Sequence, residues 1–100
     1  MASEKAWDGS ASNYSSTEAF CSACLIDDNP AGQRKVQSLC HLPVKDPGGA
    51  LNVNGVHNAA ARINQLKVSP ASKKKGARAL ARCYAQLKEP VPEVVKRMAQ

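Results

Sequence analysis

Apolar residues recur at helical spacing in the second half of the chain. The first stripe has the i, i+3, i+4, i+7 pattern of one buried helix face and consists of Val56, Ala59, Ala60, Ile63 and Leu66. Asn54 precedes this stripe and carries a side chain suited to helix capping. The pattern therefore predicts an amphipathic helix that begins at about Asn54.

A second stripe follows, made of Ala77, Leu80, Ala81, Tyr84 and Leu87. It is preceded by Ser69-Pro70, a capping residue with proline at the first helical position. This helix is predicted to end before Pro90. Val91-Pro92 then opens a last short helix that contains Val94, Val95 and Met98.

The first half of the chain gives weaker patterns. Ser15 and Glu18 have capping-box spacing and predict the start of a helix of about three turns. Its apolar face would carry Phe20, Ala23 and Cys24, and it would end before Asn29-Pro30 because a residue that precedes proline is biased away from the helical conformation. Residues 27–35 are then predicted to be a loop.

Residues 36–53 predict extended structure around a turn. Val36–Val44 reads as a short strand or extended segment, and Asp46-Pro47-Gly48-Gly49 is a strong turn sequence. Ala50–Val53 would return beside the first strand. The expected result is a β-hairpin at about residues 38–53.

Residues 1–14 are small and polar and have neither a helical nor an alternating period, which predicts an extended N-terminal arm. The whole is predicted to be an α+β, mainly α, fold: a single small domain over residues 15–100 with three to four helices and the hairpin. Trp7, the one tryptophan, either fills a groove on its own domain or anchors the arm, together with Tyr14, on a partner.

Charge divides the chain into two unequal halves. Residues 1–50 hold four basic and six acidic side chains, whereas residues 51–100 hold ten basic and two acidic ones, which gives the net charge of +6. Lys74, Arg78 and Arg82 fall at i, i+4 and i+8 of the second predicted helix, and Arg62 lies on the preceding one. Such a stripe suits an acidic protein surface, an anionic membrane or nucleic acid, or is simply solvated surface.

Contact with nucleic acid through this stripe would be independent of base sequence. The second helix has no cluster of Asn, Gln or Arg at its start to read base edges, and only four residues of the chain are aromatic. Binding would then rest on phosphate contacts and fall steeply with salt.

The four cysteines are predicted to be packed, reduced thiols. No apolar run approaches the roughly 20 residues of a membrane span and the N-terminus lacks a secretion signal, so we expect synthesis in a reducing cytoplasm and no membrane partner. Cys21, Cys24, Cys40 and His41 are ligand types that zinc accepts. Zinc is disfavoured, however, because the first two would lie within a helix and the last two are adjacent, so no cofactor is expected.

No group of residues predicts catalysis. A redox Cys-x-x-Cys motif needs its first cysteine exposed at a helix N-terminus, and Cys21 follows the first turn instead. His57 has no carboxylate at i+3 or i+4 to orient it, and Asp27-Asp28 are loop neighbours whose side chains need not converge. We therefore expect a protein that is not an enzyme.

Ordered fragments along the chain carry a family resemblance. They are Trp7-Asp8-Gly9-Ser10-Ala11, Ala23-Cys24-Leu25-Ile26-Asp27, Cys40-His41-Leu42-Pro43-Val44, Asp46-Pro47-Gly48-Gly49-Ala50-Leu51-Asn52, Asn54-Gly55-Val56-His57-Asn58-Ala59-Ala60-Ala61-Arg62 and Tyr84-Ala85-Gln86-Leu87-Lys88-Glu89. In this order the chain resembles a small domain of tailed bacteriophages that occurs alone or fused to prohead proteases and capsid proteins. It departs from that pattern at Cys21 and in the Lys73-Lys74-Lys75 run.

The resemblance implies a virion structural protein, a minor capsid or decoration protein that binds the major capsid protein of the phage head. Neighbouring copies on the shell are further expected partners. The partner-binding residues expected from the sequence are Trp7, Tyr14, Arg62, Lys74, Arg78 and Arg82. The alternatives are a nucleic-acid-binding module with no base preference and a scaffolding or maturation factor that leaves the finished head.

Overall fold

The computed structural model describes residues 2–100 and shows an α+β, mainly α, domain, as predicted. Its main elements in chain order are α1 (Thr17–Ser22), β1 (Cys24–Asp27), β2 (Cys40–Pro43), α2 (Val53–Arg62), α3 (Pro70–Leu87) and α4 (Glu93–Ala99). Single turns of 3₁₀ helix lie at Ala11–Asn13, Gln37–Leu39 and Ile63–Gln65.

Two helices of the second half, α2 and α3, begin at a capping side chain. The Ser69 hydroxyl accepts from the amide of Ser72 and Pro70 occupies the first turn of α3, which confirms the predicted start. For α2 the cap is Asn52, whose side chain accepts from the amide of Gly55, and not Asn54 as predicted. Lys88 ends α3 in the left-handed conformation at φ 58°.

The helix predicted to begin at Ser15 is present, but it is shorter than the three turns expected. Ser16, one residue after the predicted cap, accepts from the amide of Ala19, and α1 then stops after six residues. Cys24–Asp27 instead forms a strand that pairs antiparallel with β2, in the register Ile26 with His41 and Asp27 with Cys40. Sheet pairing that buries Ile26 thus outweighs the local helical period.

The predicted hairpin at 38–53 is present only in part. The turn is there, since the amide of Gly49 donates to the Asp46 carbonyl over 2.8 Å and Gly49 has φ 99°. The two segments that flank this turn pair only through the isolated bridge between Lys45 and Leu51. The two-stranded sheet is instead formed by β1 and β2.

Two apolar clusters hold the domain together. In the larger one, α2 and α3 pack against the sheet and α4 packs against α3. Its innermost side chains are Val56, Ile63, Leu80 and Val95. The smaller one lies at the N-terminal end and contains Tyr14, Phe20, Cys21, Ala23 and Cys40.

A disulfide joins Cys21 at the end of α1 to Cys40 at the start of β2, with their Cα atoms 5.3 Å apart. The prediction of four reduced thiols is therefore wrong for this pair, whereas Cys24 and Cys83 are free. Because the bond joins residues 19 apart, it restricts the unfolded chain and stabilises the fold by about 3 kcal/mol in the loop-entropy model.

Gly76 allows α3 to approach β1 closely. A Cβ atom at Gly76 would lie 2.6 Å from Cγ1 of Ile26, which is itself buried. We predict that Gly76→Ala lowers the free energy of unfolding by about 1–2 kcal/mol, because overpacking here costs more than alanine gains in helix propensity. Gly48→Ala is the matched control, since a Cβ there meets nothing within 4 Å. Urea unfolding of both variants tests this, and equal stabilities would contradict it.

Candidate binding surfaces

The N-terminal arm packs on its own domain. Ser3 forms a parallel bridge with Asn52, in which the Ser3 amide donates to the Leu51 carbonyl (2.7 Å) and the Val53 amide donates to the Ser3 carbonyl (2.8 Å). Residues 2–10 of the predicted arm therefore run along the domain without helix, and Met1 lies outside the described residues. The pairing of Ser3 with Asn52 was not predictable from the sequence around Ser3, because it joins backbone groups of two segments far apart in the chain.

The side chain of Asn52 fixes the path of the arm. It is fully buried, and its amide nitrogen donates to the Lys5 carbonyl (3.1 Å) and to Oδ1 of Asp46 (2.8 Å). The exposed side chain of Asn54 donates a further hydrogen bond from its amide nitrogen to the Lys5 carbonyl at 3.0 Å. A buried amide with these partners has its hydrogen-bonding capacity largely met.

Trp7 lies over α2, so of its two predicted roles the structure shows the groove on its own domain. Its ring covers Gly55, where a Cβ would be 2.9 Å from Cζ2 of the indole. Gly9 also lies against the indole, and a Cβ there would be 2.9 Å from Nε1. That Nε1 is buried and, within residues 2–100, finds no hydrogen-bond partner.

Tyr14 belongs to the core and not to a partner-binding surface, which corrects the prediction. Only 9% of the residue is exposed, its hydroxyl donates to the Lys45 carbonyl, and its ring meets Phe20 edge to face at 5.4 Å. Burial raises the pKa of the Tyr14 phenol, with smaller contributions from Cys24 and Asp46.

A cleft of about 460 Å³ lies between the arm, β2 and α2. Its polar lining comes from Asp8, His41, Asn58 and Arg62, beside the Trp7 ring. The cleft brings Trp7 and Arg62 together as parts of one surface, although they lie far apart in sequence.

The predicted cations of α3 form an exposed row. Lys74, Arg78 and Arg82 are all exposed on the helix and span about 12 Å along its axis. Residues 50–88 contain eight Lys and Arg and no Asp or Glu. We call Lys74, Arg78 and Arg82 the basic face.

Carboxylates do not neutralise the basic face. Within residues 2–100 the two ion pairs are Lys35 with Asp27 and His57 with Glu89, and neither involves this row. Arg78 donates from Nε to the Ala99 carbonyl at 2.9 Å, a neutral acceptor that orients the side chain and leaves its charge uncompensated. Arg62, on α2, similarly donates to the Asn58 side chain at 3.2 Å.

His57 has a carboxylate partner that the sequence did not predict. Its Nε2 lies 2.7 Å from Oε1 of Glu89, which follows α3, and its ring stacks on Tyr84 at 6.0 Å. The partner is 32 residues away, so a search at helical spacing missed it. No hydroxyl or thiol group in the described part of the chain hydrogen-bonds to His57, so the pair lacks a nucleophile.

Burial disfavours the thiolate form of the two free thiols, Cys24 and Cys83. Burial raises the pKa of Cys24 to about 12, with a smaller contribution from Asp27, and burial also raises the pKa of Cys83. Thiolates carry out thiol chemistry, so both side chains are suited to packing.

Asp27, the last residue of β1, and Asp28, which follows it, make different contacts. Hydrogen bonds from Lys35 and Asn29 lower the pKa of Asp27 to about 2. Asp28 instead accepts from the Ser72 hydroxyl on α3 at 2.6 Å. The two carboxylates therefore serve different contacts and do not form a paired acid site.

Comparisons of the chain with protein-family models, with curated proteins and with solved structures found no match. None of the helices in residues 2–100 has the length and apolar character needed to cross a membrane.

The contact between Trp7 and Gly55 can be tested with the single tryptophan as reporter. We predict that Gly55→Ala displaces the indole, because the added methyl would overlap the ring. Tryptophan emission should shift to longer wavelength, and protease cleavage within residues 2–10 should accelerate, while circular dichroism of the helices is retained. Gly48→Ala should leave emission and cleavage unchanged. Unaltered emission in Gly55→Ala would show that Trp7 does not rest on α2.

Proposed function

We propose that the chain is a non-enzymatic structural protein of a tailed-phage head, a minor capsid or decoration protein that attaches to the major capsid shell through the basic face of α3. The proposal corrects the attachment route expected from the sequence, in which Trp7 and Tyr14 reached across capsid subunits. Those two residues are engaged within the domain.

The uncompensated charge of the basic face is the observation that carries this proposal. Three exposed cations on one rigid helix present a fixed pattern of positive charge to a partner. Such a pattern accelerates association with an acidic surface and selects for complementary charge. Each contact is weak alone because solvent and salt screen exposed charges.

A symmetric shell compensates for weak single contacts. If several linked or neighbouring copies bind the same shell, the second contact forms at high effective concentration and overall attachment exceeds the single-site affinity. A small domain can therefore adhere firmly to a capsid lattice through many weak contacts.

The motifs behind the resemblance lie in the scaffold of the domain. Trp7 and Gly55, which belong to two of the fragments, contact one another. Two other fragments include β1 and β2. The Lys73-Lys74-Lys75 run, where the chain departs from the family pattern, lies on α3. The resemblance thus supports a head-associated fold, and the basic face is the part that would adapt this chain to its own shell.

Charge reversal tests the attachment. We predict that Lys74→Glu/Arg78→Glu/Arg82→Glu abolishes co-sedimentation of the purified chain with empty shells of the phage that encodes it. Lys5→Glu/Arg34→Glu/Lys45→Glu is the matched control, since it also changes net charge from +6 to zero but alters exposed cations elsewhere. The control should bind like the unaltered chain.

Binding by the reversed basic face, or equal loss in both variants, would refute attachment through this row. Mass spectrometry of mature virions separates the related alternative. A decoration protein must be present at high copy number, whereas a scaffolding or maturation factor leaves the finished particle.

The same cations make nucleic acid the second candidate partner. If the basic face neutralised three phosphates of a DNA duplex, the logarithm of the association constant would fall with the logarithm of salt concentration with a slope of about −2.7. We predict binding to duplex DNA weaker than about 10 μM near physiological salt, measured by titration at two salt concentrations. Micromolar or tighter binding that the basic-face variant loses and the control variant retains would favour the nucleic-acid module.

A further inference from the structure

Three metal-ligand side chains converge beside the sheet. Cys21 lies in the last turn of α1, Asp27 ends β1, and Cys40 begins β2 as the cross-strand partner of Asp27. Their two Sγ atoms and a carboxylate oxygen all lie within 4.8 Å of one another. This group differs from the set considered from sequence, because Asp27 is present and neither Cys24 nor His41 belongs to it.

The spacing suits one tetrahedral zinc ion. Zinc–sulfur bonds of about 2.3 Å and zinc–oxygen bonds of about 2.1 Å place ligand atoms about 3.6–3.8 Å apart. The three side chains can reach such positions by rotation about their own bonds, since their backbones are already held together by sheet pairing and by the cluster around Phe20. A fourth position is left for water.

Asn29 provides the outer support that a metal site needs. Its amide nitrogen lies 2.8 Å from Oδ1 of Asp27 and 3.3 Å from Sγ of Cys40. Its oxygen accepts from the Val36 amide at 2.7 Å, which fixes the side chain in this orientation. Groups that hydrogen-bond to ligands in this way orient them and raise metal affinity.

We propose that Cys21, Cys40 and Asp27 form a zinc site in the reduced protein, so that the disulfide and the metal are alternative cross-links between α1 and the sheet. A dithiol reductant supplies two electrons and two protons to the Cys21–Cys40 bond and is itself oxidised to a disulfide. Zinc then binds the two sulfurs as thiolates, releases their two protons, and takes a carboxylate oxygen of Asp27 as the third ligand. This inference does not depend on the proposed function.

The test uses the full chain with Cys24→Ser and Cys83→Ser, so that the remaining thiols are those of the site. The protein is reduced with a phosphine, freed of oxygen and titrated with Cd²⁺, whose thiolate complexes absorb in the ultraviolet. We expect one equivalent of Cd²⁺ to bind with this absorption and Zn²⁺ to displace it. The oxidised protein should give no such signal.

Single substitutions then identify the ligands. Cys21→Ser should abolish the absorption of the one-to-one complex, and Asp27→Asn should weaken binding by about tenfold or more. Asp28→Asn is the matched control and should bind like the parent, because Asp28 contacts Ser72 instead. Circular dichroism of each variant in its oxidised or reduced form establishes that it is folded.

Three outcomes would overturn the proposal: no metal binding by the folded, reduced parent, equal affinity in Asp27→Asn and Asp28→Asn, or equal binding by Cys21→Ser and the parent. The second outcome would specifically remove Asp27 from the ligand set. Loss of co-sedimentation in the charge-reversal experiment has no bearing on these measurements, so the two proposals fail separately.

Discussion

Asn52 is the residue on which the N-terminal half of the structure depends. Its side chain caps α2 through the Gly55 amide and also holds the Lys5 carbonyl of the arm and the Asp46 carboxylate of the turn. Because the residue is fully buried, losing these bonds would leave polar groups without water to replace their partner. The Asn52 side chain therefore couples the arm, the turn and the start of α2, and it holds Lys5 two residues before Trp7, which lies on Gly55.

Features that depend on residues close together in the sequence were predictable, whereas features that depend on residues far apart in the sequence were not. Helix α3 depends on a cap at Ser69 and on apolar residues at helical spacing, and both features are visible in the local sequence. Strand β1 depends on pairing with residues that follow a loop of about a dozen positions, so its helical spacing was misleading. The Cys21–Cys40 bond and the contact of His57 with Glu89 are equally non-local. At the candidate site, the row of α3 cations was predictable, whereas the burial of Tyr14 was not.

The acidic and basic side chains differ in the contacts that they make. The acidic side chains of the first half are largely used within the fold, as Asp27, Asp28 and Asp46 each accept hydrogen bonds from neighbouring segments. The cations of the basic face have no carboxylate partner among the described residues. Positive charge on this helix is therefore not neutralised within the described part of the domain. A structure stabilised by apolar clusters can carry this unpaired row on one helix, since exposed charges in water contribute little to stability.

The cross-link near α1 and the basic face use different residues, so a change in one leaves the other unaltered. Reduction of the Cys21–Cys40 bond removes a constraint on the unfolded chain but alters none of the charges on α3. For the head protein proposed above, synthesis in a reducing cytoplasm and release into oxidising surroundings would expose the same chain to both conditions. A zinc ion in the first and a disulfide in the second would each tie α1 to the sheet. Attachment to the shell would then persist across a change of redox state, because the surface that makes it is the same in both.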